Sequence, residues 1–365
     1  MSSKPHILIG MRSLPIPLPC SSLTSRPLPV GTGAVGAFYG SRLHGPAHVS
    51  VTCRSNYKAV SSNGLKLQTH SFGDYHFSPH RVFSSIEEAA KSGIRWDYVV
   101  VTTKALPDVV DDSKTIESVV GEESVIVLIQ NGVGVEEPHR ERFAKNVVLS
   151  AVTIVSAEQT SPGTVKQNRW TRISVGPFVH GAEEAGEEER ELVRISGERC
   201  RSFVELLKEG GIKDAEEYDE KGLQLVRWHK LAINASMNPS AVLSGGTGNA
   251  RMSLDSELRI HLLGCMNEIF TTAPKVLGRP WPTKLAKADA ETILKSTERN
   301  TSGLPSMLLD WQQGRPMELE VILGNPIRTA RKKGLEMPRL QSLYALLKMA
   351  SLRREEENKK SKAKL

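Results

Sequence analysis

The stretch Gly31-Thr32-Gly33-Ala34-Val35-Gly36 constrains this chain more than any other. Three glycines at that spacing allow a bend too tight for side chains and a close backbone approach to a ligand. They also let a helix pack hard against a strand. The residues that follow, Ala37 to Leu43, suit a helix, and His48-Val49-Ser50-Val51-Thr52-Cys53 suits a strand. Glycine turns are common, so the spacing alone is weak evidence. Strand and helix in the right order strengthen it.

Two later runs, Trp96 to Thr103 and Ser124 to Ile129, are nearly continuous apolar strands of the kind parallel sheets bury. The second delivers Gln130-Asn131-Gly132-Val133-Gly134 at its carboxyl end, where open α/β sheets bind ligands. The pattern predicts a short helix over 86–91, a helix from Pro107 to Val120, and irregular strand and loop over 71–82. Strand-like segments over 147–176 are broken by Ser161-Pro162-Gly163. An acidic loop and an amphipathic helix are expected over 182–208. The glycine turn at a helix N-terminus fits a dinucleotide pyrophosphate. Arg54-Ser55 stands eighteen residues beyond Gly36, where a carboxylate would bind the ribose of NAD. Arginine and serine suit the 2′-phosphate of NADP instead, the plainer alternative being a solvated arginine.

The join before the glycines is broken. Pro5-His6-Ile7-Leu8-Ile9-Gly10 starts as a strand, yet five prolines follow within residues 11–30 and exclude helix and central strand there. Deleting residues 11–31 leaves Ile9-Gly10-Thr32-Gly33-Ala34-Val35-Gly36, which restores strand, turn and helix. Twenty-one residues correspond to sixty-three nucleotides, an in-frame length, so a translated intron is one reading and a surface loop the other.

The net charge of +7 suggests nucleic acid at first sight, but it is uneven. Arg353 to Leu365 holds six basic and three acidic residues, and no basic patch is interleaved with aromatics. Nucleic-acid binding is therefore not expected. No run of eighteen apolar residues exists, so no membrane span is expected. Cys20, Cys53, Cys200 and Cys265 are widely separated and form no metal-ligand pattern, which points to a reducing, cytoplasmic setting without a metal. No Asp or Glu precedes Asp74, which keeps a mitochondrial location as the alternative.

The second half centres on Trp228-His229-Lys230-Leu231-Ala232-Ile233-Asn234-Ala235-Ser236-Met237-Asn238-Pro239. Lys230, Asn234 and Asn238 are four apart, hence on one face of a helix. A lysine among apolar neighbours should have a lowered pKa and can serve as a proton donor, with the amides holding a polar substrate. The alternative is a snorkelling lysine and two solvated amides. Asn238-Pro239 predicts that the helix ends or bends there.

These motifs, in order, resemble the ketopantoate reductase (2-dehydropantoate 2-reductase) family over residues 6–10 and 31–350. They are the glycine turn, Arg54, Val101-Thr102-Thr103-Lys104, Gln130 to Gly134, Trp228 to Pro239, Ser306 to Asp310 and Glu318 to Gly324. The resemblance implies an α/β Rossmann domain over 1–217 carrying the insert 11–30. An all-α domain over 218–350, like the C-terminal helical domain of 6-phosphogluconate dehydrogenase, and a charged tail over 351–365 complete the chain. It implies reduction of ketopantoate to pantoate with NADPH in pantothenate and coenzyme A biosynthesis. Lys230 would be the general acid; Asn234, Asn238, Ser306 and Asn131 would bind substrate. Gly31, Gly33, Gly36, Arg54, Lys104, Asn131 and Glu318 would serve the cofactor. The partner is a small anionic 2-oxo acid, and a homodimer is left open. The departures are the Pro-rich insert, Gln130 where His is common, and the acidic loop near 182–199. Two other readings stand beside this one: a reductase of other 2-oxo or 3-oxo acids, and a non-catalytic NADP-binding paralogue.

Overall fold

The computed structural model describes residues 4–10, 33–179, 186–301 and 304–363. The Pro-rich insert and Gly31 lie outside them, as do residues 180–185, and the acidic loop expected near 182–199 is helical from Glu187 on. Two compact units are distinguished. The first comprises Met1–Lys104, Asp111–Gln130 and Glu136–Leu223, and the second Ala105–Val110, Asn131–Val135 and Gln224–Leu365.

The first unit is built on one ten-stranded sheet. Its strands are β1 (His6–Gly10), β2 (His48–Thr52), β3 (Leu65–Thr69), β4 (Gly73–Phe77) and β5 (Val82–Phe83). They continue with β6 (Tyr98–Val101), β7 (Val125–Leu128), β8 (Val148–Ser161), β9 (Thr164–Pro177) and β10 (Ala215–Glu217). The run β5-β2-β1-β6-β7-β8 is parallel at every pairing. That is the strand order of a dinucleotide-binding sheet, with its reversal point beside β1. β8 then turns back into β9 as a long antiparallel hairpin at Pro162-Gly163, and β3, β4 and β10 extend the sheet from β9.

Helices α1 (Ala34–Leu43), α2 (Tyr57–Asn63), α3 (Ile86–Lys91), α4 (Asp112–Ile116), α5 (Glu137–Arg142) and α6 (Glu187–Glu209) accompany the sheet. Two apolar layers form. One gathers Ile9, Phe38, Tyr39, Val49, Val51, Val127 and Phe203, and the other Leu8, Val99, Val101, Ile126 and Leu128. Successive residues of β1, β6 and β7 enter opposite layers, which is why these strands are apolar throughout rather than alternating.

The expected helix from Pro107 to Val120 is not formed as such. Residues 107–109 make a turn, and α4 starts only at Asp112, followed by a 3-10 turn over Glu117–Val119. Asp111 decides the start: its carboxylate accepts the Lys114 N–H at 3.2 Å, an N-cap that Pro107 cannot provide. The region 71–82, expected to be irregular, holds β4 and the start of β5.

The second unit is helical. α7 (Glu220–Leu243), α8 (Asn249–Leu254), α9 (Ser256–Leu277), α10 (Thr283–Ala286) and α11 (Ala290–Thr297) are followed by α12 (Ser306–Gln312). A π-helical segment (Glu320–Gly324), α13 (Asn325–Lys332) and α14 (Pro338–Ala363) complete it. Its core holds Trp228, Leu231, Ala235, Met237, Ala241, Leu262, Met266, Ile269, Leu308 and Leu323.

α7 does not end at Asn238; it runs through Pro239 to Leu243. An internal proline costs about 3 kcal/mol in an isolated helix. Here Ala235, Met237, Ala241 and Val242 on both sides of it are buried, and each such side chain contributes on the order of 1–3 kcal/mol. Ser236 and Ser240 add hydroxyl bonds to the carbonyls of Ala232 and Ser236, at 2.7 and 2.6 Å. The charged tail over 351–365, whose composition suits a disordered or only partly helical segment, continues α14 as far as Ala363. Among the described residues no helix is long and apolar enough to cross a membrane.

Candidate functional site

In the second unit Lys230, Asn131 and Glu318 are joined in one chain of hydrogen bonds. The Lys230 ammonium donates to Asn131 Oδ1 at 2.8 Å, and Asn131 Nδ2 donates to Glu318 Oε2 at 3.4 Å. The other Glu318 oxygen accepts the Ala105 N–H at 3.1 Å. Glu318 is buried; Lys230 and Asn131 are half-buried over their surfaces. The ammonium itself lies deep enough that burial dominates its acidity, pushing its pKa down to about 8. The like charge of Arg227 adds to that shift, and Glu318 opposes it. A lysine held this way gives up its proton readily yet stays charged at neutral pH.

The turn that carries Asn131 is tightly specified. Gly132 has φ +88°, and a Cβ there would stand 2.5 Å from both Cβ and the carbonyl oxygen of Val321. Only glycine fits. The Gly132 carbonyl accepts from Arg227 at 2.9 Å, the Val133 N–H donates to Val321 O at 2.8 Å, and the Asn325 amide donates to Val133 O at 2.8 Å. Val321 lies in the π-helical segment directly after Glu318, the kind of irregular turn that often marks functional sites. Asn234 and Asn238 follow Lys230 on α7, half-buried and buried respectively. Ser306 enters from a separate element as the exposed first residue of α12.

Sequence reasoning missed Arg227 and Asn325. Arg227 was detectable, three residues before Lys230 and so one helical turn away. Asn325 carried no signal, because its role depends on a turn far away in the chain.

In the first unit, Gly33 caps α1 without any side-chain bond to the helix N-terminus. Among the described residues, a Cβ on Gly33 would meet only Thr102 O, at 3.9 Å. A Cβ on Gly36 would collide with Thr102 Oγ1 and lie 3.3 Å from Ile9 Cγ2, so this glycine lets α1 press onto β1 and the end of β6. Thr102 Oγ1 is buried and unpaired among the described residues. A helix N-terminus entered through glycine and the close packing at Gly36 fit a dinucleotide pyrophosphate. Arg54 is exposed at the carboxyl end of β2, and Lys104 is exposed after β6. Gln130 is buried and donates to Thr103 O at 3.1 Å and to Asp112 Oδ2 at 2.9 Å, tying the ends of β6 and β7 to α4. Gly31 lies outside the described residues.

Residues 28–180 match the family model described as ketopantoate reductase PanE/ApbA, and residues 222–351 match that of its C-terminal region. This chain belongs to the ketopantoate reductase family. Among the family's proteins it is 26% identical to a 2-dehydropantoate 2-reductase of Nostoc, over 87% of this chain and 93% of that one. It is also 29% identical to an uncharacterised protein of Saccharomyces cerevisiae, over 88% and 92%. The crystal structure of 2-dehydropantoate 2-reductase from Methylococcus capsulatus superposes with a TM-score of 0.75 at 28% identity, covering 96% of this chain and 97% of that one. As in the family at large, the chain joins a Rossmann-type sheet to a helical C-terminal domain. Membership makes it an oxidoreductase of the ketopantoate reductase type.

Proposed function

We propose that this protein reduces 2-dehydropantoate to pantoate with NADPH. One observation carries the reading: a desolvated Lys230 ammonium gripped by Asn131, which is itself held by Glu318. Ketone reduction forms a C–H bond at the carbonyl carbon and leaves negative charge on the oxygen, which must take up a proton. Reduced nicotinamide, when bound, supplies the hydride. Lys230 supplies the other half: its charge stabilises the developing alkoxide and its N–H delivers the proton, a contribution of roughly 10²–10⁴-fold. The pKa of about 8 supports this role, since the acid is charged at neutral pH yet easily deprotonated.

Asn131 aims the ammonium through a neutral acceptor, so the positive charge is not cancelled. Glu318, its second oxygen fixed by the Ala105 amide, keeps the Asn131 amide from rotating. Asn234, Asn238 and Ser306 are proposed to bind the hydroxyl and carboxylate of the substrate, which such groups can do without adding charge. Gly31, Gly33 and Gly36 would hold the pyrophosphate, Lys104 would add a cofactor-side contact, and Arg54 would meet the 2′-phosphate. Arginine in place of a carboxylate after β2 supports NADPH over NADH. The family relationship and the Nostoc and Methylococcus reductases support the substrate.

The test is NADPH oxidation by the purified protein, with ketopantoate set against other 2-oxo acids and 3-oxo acids. Ketopantoate should give the highest kcat/KM. Lys230→Ala should lower kcat by about 10²-fold or more while NADPH affinity, read by fluorescence titration, stays within about threefold. Turnover near wild type in that variant removes Lys230 from the mechanism. Preference for a 3-oxo acid replaces the substrate.

A further inference from the structure

We propose that Arg227 is a positioning residue: by donating to the Gly132 carbonyl, its guanidinium fixes the turn that carries Asn131 and so aims the amide oxygen that Lys230 grips. The inference rests on the role given above to Lys230.

The geometry is that of a clamp on one peptide group. The bond between Gly132 and Val133 has its oxygen held by Arg227 at 2.9 Å and its N–H held by Val321 O at 2.8 Å. A peptide bonded at both ends cannot rotate without losing both bonds, each worth about 1 kcal/mol net, and more where one partner is charged. Gly132 is meanwhile pressed against Val321, which closes the other direction of movement. Asn131 is the next residue back, so its side chain starts from a fixed backbone. Arg227 is 3% exposed, so its guanidinium depends on the protein partners it has, the Gly132 carbonyl among them. It leaves α7 three residues before Lys230, so both side chains spring from one face of the same helix. Its charge also repels that of Lys230, in keeping with the lowered pKa of the ammonium.

The test compares Arg227→Met, which keeps the volume, and Arg227→Lys, which keeps the charge, in wild-type and Lys230→Ala backgrounds. Arg227→Met should lower kcat by about 10- to 100-fold with NADPH affinity within about threefold, since misplacing a catalytic group costs this much. In the Lys230→Ala background the same change should cost less than about threefold, because the group it positions is gone. A second readout needs no turnover: the pH at which Lys230 becomes reactive toward an amine-specific label, followed by peptide mass spectrometry. Its midpoint should rise more in Arg227→Met than in Arg227→Gln, which also lacks the charge but can still donate to the Gly132 carbonyl. Equal losses in both backgrounds, or wild-type kcat with an unmoved midpoint, overturn the inference. If Arg227→Met does not fold, wild-type activity and an unmoved midpoint in a folded Arg227→Ala overturn it equally. A wild-type enzyme that reduces no oxo acid defeats the functional reading instead, and the label midpoint still decides the positioning claim.

Discussion

In the proposed reaction Lys230 sets the pH behaviour. Its ammonium must be charged to donate a proton, and the folded protein holds its pKa at about 8 against an ordinary 10.5. Reduction should therefore slow as pH rises through about 8, by roughly tenfold per unit beyond it, while the reverse oxidation speeds up over the same span. Stability moves with the opposite sense. Between about 8 and 10.5 the unfolded chain binds a proton that the folded one does not, so folding is strengthened as pH rises through that window. A kcat profile in Lys230→Arg that keeps the wild-type fall above pH 8 assigns the limb to another group. The lysine and its two asparagines on α7 were readable from spacing and surroundings, whereas Asn131 and Glu318 were drawn together only by the family resemblance. The mutual contact of Asn131, Lys230 and Glu318 was not readable, because they are far apart in sequence and nothing local brings them together.

Two glycines do different work, although the pattern treats them alike. Gly36 lies where α1 presses on β1 and the end of β6, whereas Gly132 lies where the Asn131 turn presses on the π-helical segment. Gly36→Ala should cost about 1–3 kcal/mol by overpacking, a fall in Tm of roughly 2–4 °C per kcal/mol, and should weaken NADPH binding. Gly132→Ala adds backbone strain at φ +88° and should lower kcat by about tenfold or more with NADPH affinity nearly intact. Thermal melts and fluorescence titration of both variants check this; indistinguishable kinetic effects would refute it. The elements teach the same division. The apolar strands and the glycine turn were legible because burial on both faces and close packing leave their mark on composition. The start of α4 and the passage of α7 through Pro239 were not, because a capping aspartate and tertiary burial outweighed the proline signals.

The fold classes of both halves were legible; the insert within the first half lies outside the described residues. β1 ends at Gly10, whose carbonyl accepts the Thr102 N–H at 3.4 Å, and a Cβ on Gly33 would lie 3.9 Å from Thr102 O. Gly10 and Gly33, the nearest described residues on either side of the insert, thus both lie against Thr102. A chain lacking residues 11–31 should therefore fold with β1 in place, Gly10 standing where Gly31 stands in the sequence, and should bind NADPH at least as tightly. Loss of NADPH binding in the shortened chain would show the insert to be needed. Transcripts that carry the segment throughout would remove the intron reading. A last consequence follows from how the second unit is assembled. It borrows Asn131–Val135 and Ala105–Val110 from the first half of the chain. A recombinant gene spliced at Leu223 from two parents would inherit the lysine from one and its asparagine from the other. Successful hybrids should come from crossovers that keep those two short borrowed segments with the downstream parent.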